Sequence, residues 1–237
     1  MYGSGESIED TSAVAVKDAA NDSNISPAIA DKLVEPLVNL RRAANEKKVE
    51  RICAAYLALR RAAGVNRREA FALADTVLGQ PTMNLVVSAY SHRHCFMCDG
   101  GTVLCEECDQ IGTLADGKAC VSCEGLGVVE CSFCGGTGWA DRNTVPAEIA
   151  PAVLNRQFCH VKVVLRRTIG ALAGFTIRQI RSLPPRKRTP VVAKLMQLHW
   201  RLGDLVCSSC IDDDKERVRL EAVADKIRVA LEMLKEH

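Results

Sequence analysis

Eight of the twelve cysteines fall into four Cys-x-x-Cys pairs: Cys95/Cys98, Cys105/Cys108, Cys120/Cys123 and Cys131/Cys134. The gaps between successive pairs are six, eleven and seven residues. Two thiolates separated by two residues on a tight turn supply half of a tetrahedral zinc site. Four pairs therefore make two four-cysteine sites, one zinc ion each, with no ligand left over. A shell closed by four thiolates leaves no position for an activated water, so such sites are structural rather than catalytic.

Glycines follow the pairs. The third continues Cys123-Glu-Gly125-Leu-Gly127, the fourth Cys134-Gly-Gly136-Thr-Gly138, and the first Cys98-Asp-Gly100-Gly101. Glycine permits the positive φ that lets backbone amides turn toward thiolate sulfur. This Cys-x-x-Cys-x-Gly-x-Gly repeat resembles the cysteine-rich domain of DnaJ-type co-chaperones and its short stand-alone relatives in plastid Rubisco assembly factors. The resemblance covers residues 92–140, under a quarter of the chain. It implies that the first and fourth pairs share one zinc (Cys95, Cys98, Cys131, Cys134) and the second and third the other (Cys105, Cys108, Cys120, Cys123). The second pair departs from the repeat, with Asp109-Gln110 where x-Gly is expected, and the gaps are shorter than in full DnaJ proteins. None of the five histidines precedes Pro-Asp, so the J-domain tripeptide is absent.

The other thiols and imidazoles read more plainly. Cys53, between Ile52 and Tyr56 at helical spacing, is a core residue. Cys207-Ser-Ser-Cys210 lacks the glycines; it is a pair of buried cysteines on a helix end, a redox dithiol, or part of a further site with Cys159 and His160. His92 and His94 flank Cys95, but eight cysteines already satisfy two ions. No Gly-rich phosphate loop, His-Glu-x-x-His or Gly-x-Ser-x-Gly element occurs, and the expectation is that the protein is not an enzyme and takes no small-molecule substrate.

The net charge of +2 conceals a division into blocks. Residues 1–31 carry six acids against Lys17, and residues 92–148 nine acids against three bases. From Ala150 to Gly203 there are eleven Lys and Arg and no acid; from Asp204 onward nine acids meet six bases. The basic block, with Arg166, Arg167, Arg178, Arg181, Arg186, Lys187 and Arg188, suits nucleic-acid phosphates or an acidic partner. It equally suits the solvated face of amphipathic helices, or pairing with the acidic segments of the same chain. Residues 172–183 could form a helix-turn-helix with Gly174 in the turn and Thr176 capping its second helix. Phe158, Phe175 and Trp200 are the block's few aromatics, which argues against single-strand stacking.

These features need elements to hold them. The fold class expected is mainly α: a helical protein with a small central zinc-stabilised β/turn module. Ala, Leu, Val, Arg and Glu dominate and aromatics are 4%, a helix-forming mixture. Residues 1–25 lack periodicity and read as a disordered acidic tail. An N-terminal helical region spans 26–91. Ser26-Pro27 starts a helix with Ile29, Leu33, Leu37 and Leu40 on one face; Val49 to Leu59 forms a second, ended by Gly64. Asn66 caps a third, stopped at Gly79-Gln80-Pro81. Met83 to Tyr90 is ambiguous between helix and strand. The zinc module occupies 92–140, and helices resume over 141–237, broken at Gly174, at Pro184-Pro185 and around 208–214.

No apolar run approaches a membrane span, and the acidic start resembles neither a secretory signal nor a transit peptide. An intracellular, cytoplasmic, reducing location is expected, in which cysteines serve metals rather than disulfides. Two functions follow. In the first, the zinc module is a rigid platform for a protein client or assembly partner. In the second, the protein is a DNA- or RNA-binding regulator in which the module braces the basic helices, similar in arrangement to phage antitermination proteins of the Q type. The first rests on the more specific motif.

Overall fold

The computed structural model describes residues 13–14, 16–19, 26–208 and 211–235. The expected tail thus lies largely outside the described residues; those of 13–19 that are described are helical, and Val16 is buried. The chain divides into two compact units, Met1–Arg93 and His94–His237.

The first unit holds α1 (Pro27–Asn45), α2 (Val49–Ala63), α3 (Arg67–Leu78) and α4 (Thr82–Ser91). Pro27 opens α1 at its first turn, where a missing N–H costs nothing. Gly64 and Gly79 end α2 and α3 with φ of 54° and 64°, a conformation that favours glycine. The ambiguous segment is a helix. Val86, Ala89 and Tyr90 are buried at i, i+3 and i+4, so helical packing decides between two periodicities that a short apolar run leaves open. Leu33, Leu37 and Leu40 meet Ile52, Cys53, Tyr56 and Leu59 in the core. Tyr56 stacks on Phe71 and meets Tyr90 edge-on. Burial pushes the Cys53 thiol up to about 12, with Arg93 opposing, as suits an inert core cysteine.

In the second unit the zinc module and the C-terminal helices share one body. Strands β1 (Thr102–Leu104) and β2 (Val128–Glu130) pair antiparallel, Val103 opposite Val129. A 3₁₀ turn, Arg142–Thr144, leads into α5 (Ala150–Leu172), α6 (Ile177–Arg181), α7 (Pro185–Val206) and α8 (Asp214–Lys235). Leu126, Val128 and Trp139 of the module enter the same core as Phe158 and Val161 of α5, Leu198 and Leu202 of α7, and Leu231 of α8. Thr176 does cap α6, through a reciprocal box with Gln179. Helix, turn and second helix thus follow one another as expected over 172–183, with Gly174 in the turn. The second helix has five residues, about 7.5 Å or little more than one turn. Pro184-Pro185 starts a new helix immediately after it, since proline suits a first turn but not a helix interior.

Candidate metal centres

The two strands explain how the four cysteine pairs meet. β1 runs from the first pair to the second, and β2 from the third to the fourth. Antiparallel pairing therefore sets the first pair beside the fourth at one end and the second beside the third at the other. Three residues of strand, about 10 Å, separate the two ends.

Two tetracysteine clusters result. Cys95, Cys98, Cys131 and Cys134 form site 1, and Cys105, Cys108, Cys120 and Cys123 form site 2; within each, all sulfurs lie within 4.8 Å of one another. The Cys95–Cys131 and Cys98–Cys134 separations are 4.0 and 3.7 Å. Those of Cys105–Cys120 and Cys108–Cys123 are 3.8 and 3.6 Å. A tetrahedron with Zn–S bonds of about 2.3 Å has edges of about 3.8 Å. The sulfurs thus already stand at the spacing a zinc ion requires. Burial pushes the Cys123 thiol up to about 12 and raises Cys98 and Cys134 as well. Only a bound cation makes four closely packed thiolates favourable. The clusters constitute two zinc sites, and the interleaved pairing is the one the cysteine-rich repeat implied.

Each site is close to two-fold symmetric in its backbone. The amides of Gly101, Gly112, Gly127 and Gly138 donate to the sulfurs of Cys98, Cys108, Cys123 and Cys134 at 3.2–3.3 Å. The carbonyls of the same four glycines accept across the site, from the amides of Cys131, Cys120, Cys105 and Cys95. One residue thus serves its own pair through N–H and the partner pair through C=O. The approach leaves no room for a side chain: a Cβ on Gly127 would lie 2.4 Å from the Gln110 carbonyl oxygen, and one on Gly112 2.2 Å from that of Gly125. The departure in the second pair is absorbed without a change of geometry. Gln110 adopts φ 68°, beside 82° at Gly125 and 69° at Gly136 in the corresponding places. The turn is fixed by its hydrogen bonds, and a non-glycine residue tolerates it at some strain.

Helix α7 supports both sites, a role the sequence did not announce. At site 2, Arg188 donates to the carbonyls of Ile111 and Gly125, at 3.0 and 3.5 Å, and Thr189 to that of Gln110. At site 1, Gln197 donates to the carbonyl of Gly100, Arg201 donates through Nε to that of Thr137 at 2.7 Å, and the Trp200 ring covers Gly136. Arg201 is 4% exposed and stacks on Trp139 with its guanidinium carbon 4.8 Å from the ring centroid. Burial lowers its pKa to about 10, while Cys134 and Cys98 oppose the shift. Four thiolates around one divalent cation carry two net negative charges. Each site is thus backed by an arginine of one helix, thirteen positions apart.

The remaining candidates separate cleanly. Arg166, Arg167, Arg178, Arg186 and Lys187 are exposed and make no ion pair among the described residues. Arg188 is committed to site 2, and Arg181 donates to the carbonyl of Met233. Elsewhere Lys162 pairs with Glu216 and Lys235 with Glu124, so part of the basic charge is used within the chain. His92 binds the Ser88 carbonyl, and neither it nor His94 belongs to a cluster. Cys207 does sit at the end of α7 but is exposed there, not buried as expected, and neither it nor the exposed Cys159 joins a metal cluster among the described residues; Cys210 lies outside them. No described helix is long and apolar enough to cross a membrane. The chain matches no protein-family model, no curated protein and no solved structure.

Proposed function

We propose that the protein is a non-enzymatic platform that holds a protein client or assembly partner on its zinc module. The observation that carries this reading is the exposure of apolar side chains in the turns between paired cysteines. At site 1, Phe96 is 80% exposed, Phe133 57% and Met97 55%; at site 2, Val121 is 81% exposed. Phe96 and Phe133 come from different pairs, and their rings meet edge-on at 4.9 Å. The zinc ligands fix the turns that carry them, so an apolar surface is presented at no further ordering cost. Contiguous exposed apolar groups on a rigid element mark an interaction surface. The resemblance of the repeat to the DnaJ-type module supports the same reading.

A sequence-reading role for α7 has less support. Between Arg186 and His199 only Arg186, Lys187 and Pro190 are exposed; the rest of that stretch packs against the module and the neighbouring helices.

The test is suppression of light scattering when chemically denatured rhodanese is diluted into buffer with the zinc-loaded full chain. Phe96→Ser/Met97→Ser/Phe133→Ser should retain two zinc ions and lose most of the suppression. Equal suppression by this variant refutes the reading.

A further inference from the structure

The C-terminal unit contains a second apolar surface, unrelated to the zinc turns. A cavity of about 230 Å³ opens between α5, α7 and α8. Leu165, Ile169 and Leu172 of α5, Leu195 and Leu198 of α7 and Ile227 of α8 line it, and no charged side chain does. Ile169 is more than half exposed, as is Phe175 just beyond the end of α5.

The side of the cleft formed by α5 and α6 is cationic, whereas α8 carries both signs, with Glu221 and Asp225 beside Lys226 and Arg228. Helix α5 carries Arg156, Lys162, Arg166 and Arg167 and no acid, and α6 carries Arg178 and Arg181. Lys162 is held by Glu216. Arg166 is exposed and makes no ion pair among the described residues. It precedes Ile169 by three positions and Ala173 by seven, and both line the cavity; it therefore stands on the same strip of α5. Arg178, in the helix that follows α5, is likewise exposed.

We propose that this cleft is the docking site for an acidic amphipathic helix of a partner protein, with apolar anchors in the cleft and carboxylates on Arg166 and Arg178. Helix-in-groove binding uses anchors at i, i+3 or i+4 and i+7, and a cleft walled by three helices receives such a row. Charge complementarity selects the sign of the flanking residues. Nucleic acid would use the arginines but leave the wall of Leu and Ile without a partner. A second copy of the chain would bring the same arginines against these.

The test is fluorescence-anisotropy titration of the zinc-loaded full chain with a designed helical peptide of about 18 residues, Leu on one face and Glu on the flanks. Its Lys-flanked counterpart and a DNA duplex are titrated in parallel. The Glu peptide should bind and the Lys peptide should not. Ile169→Ser should weaken binding about fivefold through lost apolar contact, and Arg166→Glu about fivefold through reversed charge. Both sites are exposed, and zinc content and circular dichroism should stay as in the wild type. The proposal is overturned if the Lys peptide binds as tightly, if neither substitution changes the affinity, or if the Glu peptide does not bind at all. It is also overturned if only the duplex binds and Arg166→Glu weakens it, or if the wild type is a dimer that Ile169→Ser dissociates.

Discussion

Substituting Gly127 by Ala should release the zinc of site 2 while leaving that of site 1, and Gly117 provides the control. Both residues have positive φ, 78° and 81°, so alanine at either carries a conformational strain of about 1–2 kcal/mol. They differ in surroundings. Nothing lies within 4 Å of a Cβ on Gly117, whereas one on Gly127 would meet the Gln110 carbonyl oxygen at 2.4 Å. That oxygen belongs to the opposite turn, so relief means moving the two turns apart by about 1 Å from normal contact. Such a shift stretches the two bonds that cross between the turns, from the Cys105 amide to the Gly127 carbonyl at 3.1 Å and from the Cys120 amide to the Gly112 carbonyl at 2.8 Å. Each contributes about 1 kcal/mol. The sum of strain and lost bonds is about 3–4 kcal/mol, or a factor of about 10²–10³ in zinc affinity. Gly117→Ala, with strain alone, should cost about 5- to 30-fold. Competition with a chromogenic chelator, read against cobalt-substituted protein, measures both. Equal retention of two ions by Gly127→Ala and Gly117→Ala would show that the close approach of the turns contributes nothing.

Ligand pairing is tested by elemental analysis: Cys95→Ser and Cys134→Ser should each leave one zinc, at site 2, and Cys105→Ser and Cys123→Ser should each leave one, at site 1. Arg201→Gln should speed zinc loss from site 1 and Arg188→Gln from site 2, each by about tenfold, because a charge facing a thiolate-rich site is lost together with its hydrogen bond; chelator-induced release rates in the single variants decide it. Zinc binding should strengthen as pH rises. Without metal the Cys123 thiol, held up to about 12 by burial, is protonated throughout the neutral range, so loading must release protons and falling pH must oppose it. Affinities at pH 6 and pH 7 should differ by more than tenfold; a flat profile would refute proton-coupled loading.

The legible part of the structure is the part fixed by neighbours in sequence. A Cys-x-x-Cys turn is local, and so are the Gly64 and Gly79 stops and the Thr176 cap. The unread part depends on contacts across the chain. In sequence Arg188 is one more member of the basic block, far from the cysteines. In the structure it reaches across 77 residues to Ile111, so a change there bears on site 2. Arg201 gave no sign of its place for the same reason. Gln110 shows the reverse case: the sequence departs from the repeat there, yet hydrogen bonding preserves the turn.

The strand pairing that places site 2 inside the span of site 1 also sets an order of assembly. Closing site 2 spans the eleven residues between Cys108 and Cys120, whereas closing site 1 alone spans the 32 between Cys98 and Cys131. Once site 2 is loaded, the free path left for site 1 shrinks to about 15 residues, and its closure entropy falls by about 0.7 kcal/mol. The inner ion is then taken up first, and its arrival raises affinity for the outer one about threefold with no direct contact between the metals. Linkage makes the effect reciprocal: a chain stripped of its outer zinc keeps the inner one, but holds it about threefold less firmly.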